Sequence, residues 1–220
     1  MDLSNFFPTF AAARIQALFR TLGYPESVAD LLTGICTNAA PRSLFEGFSL
    51  ESRSLYCRPH LPQGAPASPS LANLCSYRLD CRLSALAASA GAKYTCYADD
   101  LAFSGGPDFD RHAARFSTHV AAILLDEGFA VNHRKTRIMR PGTAQRLAGL
   151  VVNRYPNVAR ADFDRLKAIL TNCVRFGPES QNRHGHERYR EHLDGRIAFV
   201  ESINPARGAR LRAIARHINW

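Results

Sequence analysis

The chain has 220 residues, enough for one large domain or two small ones, and its 46% hydrophobic and 21% charged content is typical of a globular protein. Lys and Arg (28) outnumber Asp and Glu (19), and the resulting net charge of +9 fits a nucleic-acid binder, although other basic proteins share it. No apolar run is long enough to cross a membrane and no signal peptide is present, so the sequence predicts a cytoplasmic protein without a membrane partner. Six scattered cysteines without a CxxC pair disfavour a zinc ribbon and favour a reducing compartment.

The local patterns predict a chain of mixed helices and strands. Gly23 and Gly128 follow apolar helical periods, where glycine commonly ends a helix. Three prolines between Leu61 and Pro69 exclude regular structure there, because each removes a backbone donor. In chain order, the first predicted elements are a short strand and a turn at Pro8 within 2–10, helices over 11–22 and 26–37, and an irregular segment over 38–60 ending in a strand near Ser54–Cys57. A helix over 69–90, a hairpin over 92–104 and a helix over 108–127 follow. The last predicted elements are strands within 129–139 and 145–153 and helices over 162–176, 187–202 and 205–218.

An acidic pair, Asp99 and Asp100, lies between apolar and β-prone flanks in the predicted hairpin. Two adjacent carboxylates in a half-buried turn repel each other unless a cation neutralises them. Mg²⁺ binds through one or two carboxylates together with substrate phosphates. The pair therefore suggests a divalent-ion site, although an Asp-Asp dipeptide alone is more often a solvated turn.

Metal-assisted phosphoryl transfer requires carboxylates that converge on two cations, so a third acid is needed beside this pair. Asp2 is the candidate, because a short N-terminal strand could pair beside the hairpin. The alternative is a solvated terminal residue.

Four motifs in order, at compatible spacing, closely resemble the palm motifs of bacterial reverse transcriptases, most of all the retron type, which is related to group II intron enzymes. The resemblance extends over essentially the whole chain. The motifs are DLSNFFP (Asp2–Pro8), LPQGAPASP (Leu61–Pro69), YADDLAFS (Tyr97–Ser104) and GFAVNHRKTR (Gly128–Arg137).

The resemblance implies an α+β fold, with a polymerase palm (an antiparallel sheet with packed helices) over 1–155 and an all-helical thumb over 156–220. It implies an RNA-directed DNA polymerase that uses two Mg²⁺ ions, with Mn²⁺ as a substitute. The implied partners are an RNA template, an RNA–DNA hybrid and dNTPs. A retron noncoding RNA, an effector protein and a role in antiphage defence follow from the retron likeness.

The resemblance also assigns roles to single residues. Asp2, Asp99 and Asp100 match the metal-binding catalytic aspartates. Phe7 matches the aromatic residue under the sugar of the incoming dNTP, where a rigid ring excludes a 2′-hydroxyl. Outside the motif, a core phenylalanine would be the simpler interpretation.

Two further motifs match substrate contacts. Gln63 and Gly64 match the loop that contacts the incoming nucleotide and the template, where glycine permits close backbone approach. Lys135 matches the lysine that approaches the triphosphate, where it can neutralise developing charge or protonate the leaving group. The alternative for Lys135 is one cation on a solvated basic face.

The C-terminal part resembles regions that bind RNA and primer. Leu147, Ala148 and Gly149 stand where retron enzymes usually carry Val-Thr-Gly, and the missing threonine hydroxyl affects the choice of RNA. Arg196 lies in a retron-like run within basic helices suited to the phosphate backbone of an A-form duplex. His184, His186 and His192 are not predicted to bind metal, because no acidic or cysteine partner has ligand spacing.

Two alternatives stay open at this stage. The chain could be a non-catalytic RNA-binding module, or an intron-type enzyme with maturase activity. Met1 stands directly before Asp2, whereas such polymerases carry a fingers region before the first palm aspartate. The sequence therefore predicts a truncated chain, or one completed by a separate fingers chain, with weak or absent activity of its own.

Overall fold

The computed structural model describes residues 1–220 and contains two compact units, Met1–Ile138 and Met139–Trp220. Helices dominate both units and the strands are short and antiparallel, so the prediction of a mixed helix-and-strand chain is confirmed at that level. Residues 139–155 group with the C-terminal helices. The division into a palm over 1–155 and a thumb over 156–220 stays a prediction.

The N-terminal unit has seven α-helices, a short 3₁₀ helix at Arg42–Phe45 and four strands. The helices are α1 (Phe6–Thr9), α2 (Ala12–Thr21), α3 (Glu26–Cys36), α4 (Leu50–Tyr56), α5 (Ser68–Cys75), α6 (Tyr77–Ser89) and α7 (Pro107–Asp126). The strands are β1 (Leu3–Ser4), β2 (Ala92–Tyr97), β3 (Asp100–Gly105) and β4 (Ala130–Val131).

The first residues of the chain lie between two other strand segments. On one side, the Leu3 N–H donates to the Asp99 carbonyl at 3.0 Å. On the other side, β1 pairs antiparallel with β4, and the Asn132 N–H donates to the Asp2 carbonyl at 2.8 Å. Both backbone edges of the N-terminal segment are therefore satisfied, which fixes its position.

An aromatic cluster anchors this segment to the core. The ring of Phe6 lies 5.0 Å from Phe10 and 5.7 Å from Phe129, measured between centroids. All three are buried, and the Arg14 guanidinium lies 5.0 Å above the Phe10 ring. Such aromatic pairs contribute roughly 0.5–1.5 kcal/mol each beyond the area they bury. The start of the chain is thus held by packing as well as by hydrogen bonds.

Two predicted elements are wrong in the N-terminal unit. The strand near Ser54–Cys57 is instead the end of α4, which begins after Ser49 because the Ser49 Oγ accepts the Ser52 N–H as an N-cap. The single helix over 69–90 is interrupted at Ser76, whose φ of −89° and ψ of 5° leave the helical region. The two shorter helices, α5 and α6, turn their apolar residues into the same core.

The strands predicted within 129–139 and 145–153 are much shorter than expected. Only Ala130–Val131 forms a strand in the first segment. The second contains a tight hairpin, β5 (Arg146–Leu147) and β6 (Leu150–Val151), in the C-terminal unit.

The C-terminal unit consists of this hairpin and three helices around their own core. The helices are α8 (Arg160–Phe176), α9 (Tyr189–Ile203) and α10 (Pro205–Ala215), with a 3₁₀ turn at Pro178–Ser180. Leu170, Ile197 and Leu211 are fully buried, one from each helix. Gly208 permits close approach of α10 to α9, because a Cβ there would lie 2.5 Å from the Glu201 Cα.

No helix in the chain combines the length and apolar character needed to cross a membrane.

Candidate active site

Asp2 and Asp100 form an isolated antiparallel bridge. Residues directly opposite in an antiparallel pair project to the same face, with Cβ atoms roughly 4.5–5.5 Å apart. Asp2 is buried and Asp100 is exposed, so one carboxylate is held inside the unit and the other faces outward beside it. Like charges in this arrangement repel each other, and a cation between them would relieve that repulsion.

Lys135 supplies one positive charge to this pair. Its Nζ donates to the Asp2 Oδ2 at 3.3 Å. The lysine side chain is 66% exposed whereas that of Asp2 is 12% exposed, so the amine can move away while the carboxylate stays. This geometry places a mobile cation at the edge of the acidic pair.

The hairpin turn determines where the second aspartate lies. Tyr97 pairs with Asp100 across β2 and β3, which leaves a two-residue turn made of Ala98 and Asp99. Ala98 has a φ of +50°, a left-handed conformation that costs a non-glycine residue roughly 1–2 kcal/mol. The carbonyl of Asp99 is held by Leu3, so the turn and the chain start fix each other.

Met1 is tied to the hairpin beside this pair. The Met1 amine donates to the Leu101 carbonyl, and the Leu101 N–H donates back to the Met1 carbonyl at 2.7 Å. Burial lowers the pKa of this amine, an effect that the nearby carboxylates of Asp100 and Asp2 oppose.

The donor set of the pair suits a hard cation. Asp2 and Asp100 offer carboxylate oxygens on one face, which is the ligand type that Mg²⁺ takes when substrate phosphates complete its shell. No group of three His, Cys, Asp or Glu side chains converges in a ligand geometry anywhere in the chain. Asp99 therefore does not join the other two in a preformed three-ligand centre, and its role as a metal ligand stays a prediction.

Phe7 lies in α1, three residues after the end of β1. Its ring is half-buried and packs edge-on against Phe6 at a centroid distance of 5.4 Å. The helix begins after Asn5, which has a φ of +50°, so a sharp turn redirects the chain between Asp2 and Phe7. Phe7 combines a packed body with an accessible face, as its predicted role under a sugar requires.

Gln63 and Gly64 are exposed in the loop that leads into α5. Gly64 has a φ of +93°, and a Cβ at this position would meet no atom within 4 Å, so the backbone conformation rather than lack of space favours glycine here. The loop is tied at both ends, since the Leu61 N–H donates to the Phe10 carbonyl and the Ser68 Oγ donates to the Pro62 carbonyl.

The remaining predicted residues belong to the C-terminal unit. Leu147, Ala148 and Gly149 are exposed on the hairpin, where Ala148 and Gly149 form a two-residue turn with φ values of +47° and +81°. Two positive φ values are the signature of a type I′ turn. Arg196 is half-buried on α9. These residues belong to the C-terminal unit, and the acidic pair belongs to Met1–Ile138.

A model of the family "reverse transcriptase (RNA-dependent DNA polymerase)" matches residues 1–181. The chain belongs to the reverse transcriptase family. It is 39% identical to the Retron Mx65 reverse transcriptase of Myxococcus xanthus, over 96% of this chain and 47% of that protein. It is 37% identical to the Retron Mx162 reverse transcriptase of the same organism, over 94% of this chain and 44% of that protein. The Retron Ec86 reverse transcriptase of Escherichia coli is 30% identical, over 96% of this chain and 57% of its own length. The chain thus spans about half the length of these curated relatives.

Asn132 contributes to the candidate site, although the sequence does not single it out. Its backbone N–H holds the Asp2 carbonyl, and its carbonyl and Oδ1 accept the Lys135 N–H at 3.1 and 3.3 Å. Asn132 therefore positions the lysine relative to the aspartate. The spacing of an asparagine three residues before a lysine, just after a strand, is the local signal of such a turn.

The histidines excluded as ligands from the sequence form a stack. The rings of His186 and His192 are 4.4 Å apart and 14° from parallel, with Tyr189 nearly parallel to both. Stacked imidazoles present their faces rather than their nitrogens to each other, and no ligand group includes them.

Proposed function

We propose that this chain is the catalytic part of a retron-type RNA-directed DNA polymerase. Asp2, Asp99 and Asp100 would hold two Mg²⁺ ions, or Mn²⁺ in their place. In this reaction the primer 3′-hydroxyl attacks the α-phosphorus of a dNTP and pyrophosphate leaves. When bound, the ions lower the charge on the phosphates and activate the attacking hydroxyl.

The observation that carries the proposal is the bridge between Asp2 and Asp100, with the Lys135 Nζ 3.3 Å from Asp2. Three distant parts of the chain meet at this point, and each carries the charge that the family's motifs require. Burial of Asp2 keeps its carboxylate in one orientation, which positioned catalysis requires.

Lys135 has two functions in this proposal. Before substrate arrives, it partly neutralises the Asp2 carboxylate. As its side chain is largely exposed, it can turn toward an incoming triphosphate and stabilise the charge that develops on pyrophosphate.

The incoming nucleotide would lie against Phe7, Gln63 and Gly64. The half-buried Phe7 ring is held by Phe6, so it cannot yield to a 2′-hydroxyl. The left-handed backbone at Gly64 exposes peptide groups that can bond to the nucleotide or the template. The C-terminal residues Leu147–Gly149 and Arg196 would contact primer and RNA.

Retron membership would make the template a structured noncoding RNA, with an effector protein as a further partner and antiphage defence as the setting. The retron names of the three relatives support this choice over an intron-type enzyme.

The test combines metal binding with nucleotide incorporation. Mn²⁺ binding to the 220-residue chain is measured by electron paramagnetic resonance. Single-nucleotide incorporation on an RNA template with Mg²⁺ is measured by gel after a fingers region is supplied, because the isolated chain is expected to have weak activity. We expect Asp2→Asn and Asp99→Asn each to weaken Mn²⁺ binding and to abolish incorporation. Asp108→Asn is the matched control, because Asp108 is an exposed carboxylate paired with Arg111 on α7.

Two results would count against the proposal. If neither variant changes Mn²⁺ binding, these aspartates do not form a metal site. Tight RNA binding by a chain that binds no Mn²⁺ and incorporates no nucleotide would favour a non-catalytic RNA-binding module.

A further inference from the structure

The C-terminal unit contains a cleft that none of the candidate catalytic residues lines. It has a volume of about 480 Å³ and lies between the β5–β6 hairpin, the segment that follows it and the start of α8, with one residue from α10. Its lining includes four arginines and no carboxylate: Arg146, Arg154, Arg160 and Arg207. Ligand pockets have volumes of roughly 300–1,000 Å³, so the cleft has room for one nucleotide.

The arginines differ in how they are held. Arg207 is stacked over the Phe163 ring at 5.0 Å, and Arg160 is paired with Asp164 at 3.5 Å. Arg146 is exposed on β5 and its side chain makes no ion pair within the unit. The Arg207 guanidinium is therefore held against an aromatic ring, whereas Arg160 is 91% exposed and Arg146 is available to a ligand. Such groups bind phosphate through paired N–H donors.

The floor of the cleft is apolar. Val158 and Ala159 are buried, and Val151 lies beside them on β6. At the rim, the Tyr155 ring is 70% exposed and the Arg154 guanidinium lies 5.5 Å from its centroid. A flat apolar wall with an exposed aromatic ring is what an unstacked base requires, because single-stranded bases stack on aromatic rings and on guanidinium planes.

The start of α8 adds to the positive potential. The helix begins at Arg160 without a side-chain N-cap. Its first N–H groups and its dipole favour an anion at this end of the cleft, and the exposed Asp162 carboxylate in its first turn offsets part of that potential.

We infer that this cleft binds one unpaired nucleotide of an RNA strand, with its base against Tyr155 and Val158 and its phosphates on Arg146 and Arg207. The inference rests on the proposed function for the choice of RNA. Within that function, the cleft would read a looped-out nucleotide of the RNA, at a position separate from the nucleotide being incorporated.

The test uses two double variants with equal loss of charge. Arg146→Gln with Arg207→Gln removes two guanidiniums from the cleft. Arg111→Gln with Arg115→Gln removes two from the exposed surface of α7, outside the cleft. Fluorescence anisotropy measures binding of a short single-stranded RNA, the DNA of the same sequence, and AMP over a range of salt concentrations, and thermal unfolding verifies that each variant folds.

We expect the cleft variant to lose about tenfold or more in RNA affinity and to reduce the slope of log K against log salt by about 1.4, since each phosphate contact to a single strand contributes about 0.7. The control should lose less than about threefold, because its arginines lie outside the cleft. In the wild-type chain, an RNA carrying 4-thiouridine should cross-link to residues within 144–161, a result that does not depend on any variant.

Several outcomes would overturn the inference. Equal losses of RNA affinity in the two double variants would show that binding depends on the total positive charge of the protein and not on the cleft. Cross-links elsewhere, DNA bound more tightly than RNA, or saturable binding of AMP without binding of RNA would each exclude an RNA nucleotide as the occupant. Primer extension is measured in parallel with the cleft variant and Asp99→Asn, so that a failure of the polymerase proposal is seen separately from a failure of RNA binding at the cleft.

Discussion

Asp2 and Asp100 lie directly opposite each other in neighbouring antiparallel segments, although they are separated by almost half of the chain. The Asp2 carboxylate is buried and bonded to Lys135, whereas Asp100 is exposed. A like-charged pair in this register destabilises the apo fold, so a bound cation would stabilise the protein as well as serve the proposed reaction.

Replacing Asp100 with Asn should affect stability in opposite directions with and without metal. In the metal-free protein we expect the free energy of unfolding to rise by about 0.5 kcal/mol, because the repulsion with Asp2 is removed. With Mg²⁺ present, the stabilisation that the ion gives the wild type should be lost. Chemical denaturation with EDTA and with Mg²⁺ measures both effects. The control Asp108→Asn should leave the difference in stability between the two conditions unchanged, because Asp108 pairs with Arg111 on α7. A fall in metal-free stability would contradict the opposing-charge account.

Replacing Lys135 with Met should reduce catalysis far more than stability. The ion pair with Asp2 involves a largely exposed lysine, so its loss should lower the free energy of unfolding by less than about 1 kcal/mol. Loss of the cation near the triphosphate should lower the rate of the chemical step by about 10²-fold. Rapid-quench incorporation at saturating dNTP separates this from a change in KM. The control is Lys93→Met, because Lys93 is an exposed lysine on β2. Equal losses of rate in the two variants would show that Lys135 has no special role at the triphosphate.

Tyr94 should make the hairpin sensitive to alkaline pH. Burial and the 2.7 Å hydrogen bond from its hydroxyl to Asp80 raise the pKa of Tyr94 above its ordinary value. A group whose pKa is higher in the folded state stabilises fully below its unfolded pKa, and this contribution is lost as pH rises above about 10. Unfolding measured between about pH 8 and 11 should therefore show declining stability, with a smaller decline in Tyr94→Phe. An identical decline in the variant would assign the effect to other groups.

Two helical glycines in the C-terminal unit should respond in opposite ways to alanine. At Gly208 a Cβ would lie 2.5 Å from the Glu201 Cα, so Gly208→Ala must push α10 away from α9 and should cost more than about 1 kcal/mol. At Gly195 a Cβ would meet nothing within 4 Å, so Gly195→Ala should stabilise by about 0.5–1 kcal/mol. Thermal denaturation of the two variants shows whether each substitution raises or lowers stability relative to the wild type. Equal signs would show that the tight contact between α9 and α10 is absent in solution.

Local patterns were sufficient where the structure depends on near neighbours. The hairpin around Asp99 and Asp100 follows from β-prone residues on both sides of a short turn. The ends of α2 and α7 follow from the glycines after them. The family likewise follows from short motifs, and the match to the family model confirms it.

Local patterns were insufficient where contacts between distant parts of the chain determine the structure. Ser49 caps a helix where the sequence predicts an irregular segment that ends in a short strand, and Ser76 divides a helix that periodicity makes continuous. On α3 the helical period places Val28, Leu31, Leu32 and Ile35 on one apolar face. In the structure Leu31 and Ile35 are 69% and 82% exposed, whereas Ala29 and Thr33 are buried. Periodicity predicts which side chains share a face but does not determine which face the rest of the chain covers.

By itself, the sequence determined the family, the acidic hairpin and the identity of the candidate catalytic residues, because these depend on short motifs and their order. Only the tertiary structure decided that Asp2 lies opposite Asp100, that Asn132 holds Lys135 beside Asp2, and that four arginines line one cleft. Those juxtapositions depend on the bridge from Asp2 to the hairpin, on the pairing of β1 with β4 and on the packing of α10 against α8. Such long-range packing leaves no trace in the local spacing of residues.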